Sequence, residues 1–204
     1  ILSGANTYTG QTLIQNGVLR ANNASALGSP AADTTVIAGA ALEISNDLQL
    51  ETVILNGNGF SFNGRNLGAM RNVSGINTFT GTAVLNTNAT IGVDSGTTLI
   101  IGTKTGLMGT GTITDLLPTR DLIKEGTGTL VLASENTYDG NTLVQQGALQ
   151  VQHPLALGSV VTGTTVLDGA QLQLAGGITV AGESLSLSGT GLGDTGALLN
   201  VSGN

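Results

Sequence analysis

The sequence predicts an all-β chain wound as a β-solenoid. Three observations predict it: a long internal repeat, apolar residues at two-residue spacing, and turn dipeptides between the short apolar runs. The repeat comes first. Leu2-Ser-Gly-Ala-Asn-Thr-Tyr-Thr-Gly10 returns as Leu132-Ala-Ser-Glu-Asn-Thr-Tyr-Asp-Gly140, and Gly75-Ile-Asn-Thr-Phe-Thr-Gly81 is a third version. Laid on 132–174 without a gap, the stretch 2–44 gives 20 identities in 43 positions. Asn72-Val-Ser-Gly75 likewise returns as Asn200-Val-Ser-Gly203. A unit that cannot bury its own apolar face stacks on its neighbours, which gives an elongated body. The chain divides into units of about 1–71, 72–130 and 131–204, read as a slice of a larger protein. The middle unit is the shortest and lacks the Ala-Leu-Gly-Ser found at 26–29 and 156–159.

The strands follow from the spacing. Val53 and Leu55, Leu99 and Ile101, Leu130 and Leu132, Leu149 and Val151, Leu172 and Leu174, and Leu185 and Leu187 each lie two apart. Period two places such pairs on one face of a half-buried strand. Asn16-Gly17, Asn56-Gly57 and Asp168-Gly169 supply turns between runs. Asn-Gly also marks hairpins, so a hairpin sandwich or barrel is the competing architecture. The repeat favours the solenoid. A rung of three short strands and three turns takes roughly 20–25 residues, giving about nine rungs and a body on the order of 40 Å long. Asn6, Asn77 and Asn136 are expected at equivalent corners, with the Tyr8, Phe79 and Tyr138 rings in one file.

Composition narrows the function. Charged residues are 9 % and the net charge is -7, with six Lys and Arg in all. Nothing there neutralises a phosphate backbone, so neither nucleic acid nor an anionic membrane is expected as a partner. Cysteine is absent, which removes disulfides and thiolate metal sites. No apolar run reaches the ~20 residues of a spanning helix, and no insertion of this segment into a membrane is expected.

Residues 122–151 followed by Ala156-Leu-Gly-Ser159, and residues 2–29, resemble the autotransporter-associated β-strand repeat. The middle unit departs from it, with Phe79 in place of Tyr. The resemblance implies a right-handed parallel β-helix in the passenger region of a Gram-negative autotransporter or large surface adhesin. It implies export to the cell surface and a role in transport, display or adhesion. Partners would be neighbouring repeats of the full-length chain, and host surfaces or other bacterial cells. It brings no catalytic residue.

The residues agree with that absence. The repeated positions are Gly, Asn, Thr and Leu, which serve turns and core. His153 is the sole histidine, and the first unit has Asn23 in its place. Gly191-Leu-Gly-Asp-Thr-Gly196 lacks the full spacing of a calcium-binding glycine repeat. Asp115, Arg120, Asp121, Lys124 and Glu125 form the one charged cluster, beside Leu117-Pro118, and read as a solvated loop. No catalytic, cofactor or metal residue is assigned. The expected role is a structural and display module, a rigid stalk supporting export and adhesion. The alternatives are an adhesin face that binds a receptor or glycan, and a β-helix polysaccharide lyase or hydrolase. A lyase or hydrolase would need clustered carboxylates.

Overall fold

The computed structural model describes residues 1–117 and 119–203. Pro118, part of the loop read beside the charged cluster, lies outside the described residues. After a leading segment the chain makes eight turns. β1 (Thr12–Ile14) and β2 (Val18–Ala21) make the first, and β3 (Thr34–Val36) and β4 (Ala41–Ile44) the second. The third holds β5 (Thr52–Gly57), a hairpin of β6 (Ser61–Phe62) and β7 (Arg65–Asn66), then β8 (Met70–Asn72) and β9 (Ile76–Phe79). β10 (Thr82–Val93) runs round a corner, and β11 (Thr98–Ile101) completes the fourth. β12 (Thr112–Asp115), β13 (Leu122–Glu125) and β14 (Thr129–Leu132) make the fifth. β15 (Thr142–Val144) and β16 (Gly147–Val151) make the sixth, and β17 (Gly163–Val166) and β18 (Ala170–Leu174) the seventh. β19 (Ser184–Leu187), a short 3₁₀ turn at Leu192–Asp194 and β20 (Leu198–Asn200) make the eighth.

Strands of successive turns pair in parallel, which makes the chain a parallel β-solenoid. The first face stacks β1, β3, β5, the front of β10 and β12. The second stacks β2, β4, β8, the rear of β10, β13, β15, β17 and β19. The third stacks β9, β11, β14, β16, β18 and β20. Turns differ in length: the step from Thr34 to its partner Val53 is among the shortest, and that from Ala89 to Leu122 is the longest. The variation sits in the corners, where added backbone does not disturb the ladders.

Inward side chains from all three faces form one core that includes Val36, Leu55, Phe79, Ile91, Leu130, Leu149 and Val166. Each buried aliphatic side chain contributes about 1.5–3 kcal/mol. The two-residue spacing identifies these positions correctly at Val53/Leu55, Leu99/Ile101, Leu130/Leu132 and Leu149/Val151. It fails at the last turn. Leu185 and Leu187 are 43 % and 42 % exposed, and Leu174 is only partly buried. Among the described residues β19 pairs with β17 alone, so its leucines lack a rung on one side.

The repeat does not return to the same face. β1 and β15 are counterparts in the repeat, yet β1 lies on the first face and β15 on the second. β2 lies on the second face, and its counterpart β16 on the third. Between Asn6 and Asn136 the chain makes five turns and advances one face further. Each face offers the same alternation of inward and outward positions, so strand sequence alone does not select a face.

This corrects the expected file of rings. Asn136 and Tyr138 sit one face round from Asn6 and Tyr8. Asn6 and Asn136 do make the same bond: Nδ2 donates to the Ala26 carbonyl at 2.7 Å in one case, and to the Ala156 carbonyl at 2.6 Å in the other. Asn77 instead lies within β9 and donates to Asn72 Oδ1 and the Ser74 carbonyl. Its neighbour Phe79 is a strand residue paired with Ile101. The tyrosine hydroxyl is used as well. Tyr8 Oη lies 2.8 Å from Thr12 Oγ1, and Tyr138 Oη lies 2.6 Å from Thr142 Oγ1.

Candidate functional site

The second face carries a file of charges set by backbone register. Arg20 pairs with Glu43, Glu43 with Arg71, Arg71 with Gly92, and Gly92 with Glu125. Arg20 Nη2 lies 2.7 Å from Glu43 Oε2, and Arg71 Nη1 lies 3.0 Å from Glu43 Oε1. Arg71 also grips Asp94 with two bonds of 2.8 Å each. Opposite charges on adjacent parallel strands thus tie four turns together. Glu43 is buried beneath two guanidinium groups.

Gly92 interrupts the file, and the reason is steric. A Cβ there would collide with the Leu67 carbonyl. The missing side chain lets the segment after the β6–β7 hairpin lie down on the face. Asn63 and Gly64 at the tip have φ of 49° and 76°, the left-handed pair that a two-residue hairpin turn requires. The hairpin reaches the next turns. Arg65 Nη2 lies 3.4 Å from Glu125 Oε1 and also donates to Gln146 Oε1. Between hairpin and face is a cavity of about 260 Å³ whose lining includes Phe62, Arg65, Asp94, Glu125 and Gln146. Glu125 Oε2 is buried there without a partner, one of two such side-chain atoms among the described residues; the other is Arg120 Nε.

The hairpin is an enlargement of a loop that the repeat also makes without it. Gly59 bridges Gly68, and Gly191 bridges Gly196. The φ angles match, 77° and 105° in the first loop, 74° and 104° in the second. The Gly68 N–H donates to the Asn58 carbonyl as the Gly196 N–H donates to the Thr190 carbonyl. The first loop encloses residues 60–67 and the second residues 192–195, a difference of four residues (8 − 4). Asp194 closes the shorter loop by accepting from Thr190 Oγ1 at 2.7 Å. The local sequence signal for the hairpin is Asn63-Gly64. What it lacks is register, which alone shows that Arg65 reaches Glu125 and Gln146.

The cluster from Asp115 to Glu125 does not converge on one point. Asp121 and Asn88 bond each other reciprocally, at 3.0 and 3.1 Å, and Asp121 Oδ1 also accepts the Asn141 N–H at 2.8 Å. Asp115 Oδ2 accepts the Asp139 N–H at 3.0 Å. Both carboxylates therefore hold one turn to the next. Lys124 overturns the reading of a solvated loop, because it is completely buried. Its Nζ lies 3.2, 2.6 and 2.9 Å from the carbonyls of Glu125, Gly126 and Gln146. Burial pushes its pKa down to about 7, against the pull of the Glu125 carboxylate. Three carbonyls match the three N–H bonds of an ammonium, a pattern that the neutral amine cannot complete.

His153 occupies the place of Asn23 and does the same work. Nδ1 accepts the Leu155 N–H at 3.2 Å, as Asn23 Oδ1 accepts the Ser25 N–H at 2.9 Å. Two further acids repeat. Thr34 donates to Glu51, and Thr164 donates to Glu183. Burial raises the pKa of Glu51 to about 7; the Thr34 hydroxyl pulls it back and Asp33 adds repulsion. Burial raises Glu183 too, opposed by Thr164. Among the described residues no three His, Cys, Asp or Glu side chains are grouped to hold a metal ion.

The repeated bonds tie successive rungs of one parallel solenoid. The family model of the passenger-associated-transport-repeat matches residues 1–21 and 122–151. Those stretches are similar to autotransporter passenger repeats. They end at Ala21 and Val151, which are counterparts in the internal repeat. The chain is also similar to the adhesin BmaC autotransporter of Brucella suis biovar 1 (strain 1330), 36 % identical over 110 residues. That match covers 49 % of this chain and 3 % of the relative, so the chain spans a small fraction of the length of that protein. No solved structure matches the chain.

Proposed function

We propose that this chain is a structural and display module of an exported bacterial surface protein, a rigid segment that holds other parts away from the cell. The observation that carries the reading is the set of parallel ladders. Along the ladders each turn pairs only with the turns beside it, and both stretches that match the passenger repeat contribute strands, β1 and β2 from the first and β13 to β16 from the second. Such a body folds turn by turn from one end, which suits a chain that crosses a pore unfolded. The relative's name as an adhesin supports a place in an adhesive surface protein. The charged side chains support a non-catalytic role: Asp115 and Asp121 take backbone N–H groups, and Glu43 and Asp94 take guanidinium groups.

The test uses the natural full-length protein in its own cells, with an epitope inserted at Gly106, in an exposed corner. Antibody should stain intact cells. Staining only after lysis would overturn the reading.

A further inference from the structure

We propose that the cleft beneath the β6–β7 hairpin is a saccharide-binding subsite that takes one neutral, hydroxyl-rich pyranose ring. The proposal goes beyond the stalk reading and does not depend on it. The first argument is that the solenoid does not need the hairpin. The matching loop at Gly191 and Gly196 closes with the same glycine geometry in four residues instead of eight. The extra residues instead build a wall over the second face and enclose about 260 Å³. That is below the size of a drug-like pocket and suits one small ring.

The second argument is the chemistry of the lining. Phe62 is 59 % exposed on a chain with only five aromatic residues, and it lines the cleft. An aromatic face complements the C–H face of a pyranose. Asn63, Asn66 and Gln146 add planar amides that both donate and accept. Glu125 uses one oxygen on Arg65 and leaves the other without a donor. That oxygen is buried, so it meets a ligand hydroxyl when the soft terminal torsion turns it into the cleft.

The third argument is charge. Glu125 repels an anion and Arg65 repels a cation. Asp94 also lines the cleft, but Arg71 takes both of its oxygens. A hydroxyl is neutral, donates to the free carboxylate oxygen and accepts from the guanidinium. Polyols therefore fit the lining better than phosphates, acidic sugars or amines.

The test uses the whole 204-residue chain and ligand-observed saturation-transfer NMR. The probes are methyl glycosides of glucose, galactose, mannose and N-acetylglucosamine, with sialic acid as the acidic arm. At least one neutral glycoside should bind in the millimolar range. Phe62→Ala, an exposed substitution, should weaken it at least tenfold, and Glu125→Gln at least threefold. A loop exchange that puts residues 192–195 in place of 60–67 should abolish binding while the far-ultraviolet circular dichroism stays that of a β-sheet. Silence from every neutral glycoside at millimolar concentration would overturn the proposal. So would binding that survives both Phe62→Ala and the loop exchange, or a preference for sialic acid.

Discussion

The Thr34 hydroxyl donates to Glu51 Oε1 across 2.6 Å, with Thr34 fully buried and Glu51 nearly so. Thr164 and Glu183 repeat the contact at 2.7 Å in the last unit. A threonine at this strand position thus anchors a carboxyl from the following turn, and burial favours the protonated form of that carboxyl.

The first prediction follows from Glu51. Its folded pKa of about 7 stands above the ordinary glutamate value of 4.5, so folding favours proton uptake. The associated stability is fully present below 4.5 and is lost as pH rises through 7. Between pH 5 and pH 8 urea unfolding should show a loss from Glu51 on the order of 1–3 kcal/mol, set against an opposing gain as Lys124 titrates near 7. Glu51→Gln, which keeps an acceptor for Thr34, should remove most of that loss. An equal pH dependence in the variant would refute the assignment to this residue.

A second prediction contrasts two leucines. Leu172 is 1 % exposed between β16 and β20, while Leu185 is 43 % exposed on β19. Leu172→Ala should cost about 2–5 kcal/mol and Leu185→Ala under ~1 kcal/mol. Chemical denaturation measures both. Similar costs would mean that the last turn is as well packed as the interior.

Gly92 supplies the third. With any side chain at 92, the Leu67 carbonyl must move and the hairpin lifts. Gly92→Ala should raise the rate of tryptic cleavage after Arg65 about tenfold, with the rest of the chain still resistant. An unchanged rate would show that the hairpin rests on something other than this notch.

The fourth concerns Lys124. Lys124→Met keeps the bulk of the stem and strips the donors from three carbonyls. Unsatisfied buried acceptors cost about 1–3 kcal/mol each before the backbone relaxes. A net loss of about 2–4 kcal/mol in urea unfolding is expected. A variant as stable as the parent would mean that those carbonyls find other partners.

Much of the fold is legible in the sequence. The spacing of Leu130 and Leu132, and of Leu149 and Val151, identifies buried positions because a strand alternates sides with a fixed period. Asn6 and Asn136 play one role, as their shared motif predicts, but each amide donates to a carbonyl 20 residues on, in the next turn, which no local turn rule supplies. The face on which Tyr138 falls is not legible. It depends on the sum of corner lengths over five turns, and strand chemistry is indifferent to it. The cleft is hidden for a related reason. Arg65 and Gln146 are 81 residues apart, and nothing local to either predicts their meeting. Lys124 misleads because charge density in sequence suggests exposure, whereas three carbonyls at a corner solvate an ammonium as water would.

The advance of one face between matching repeats governs direction. On a three-sided prism, one face corresponds to about a third of a rotation. In any longer run that repeats at this interval of about 130 residues, a loop like that at Gly59 would point a third of the circle away from its match one interval before. Three such intervals would complete the circuit. A feature carried once per unit would then be offered on every side of the shaft, within reach of a surface approached at any angle.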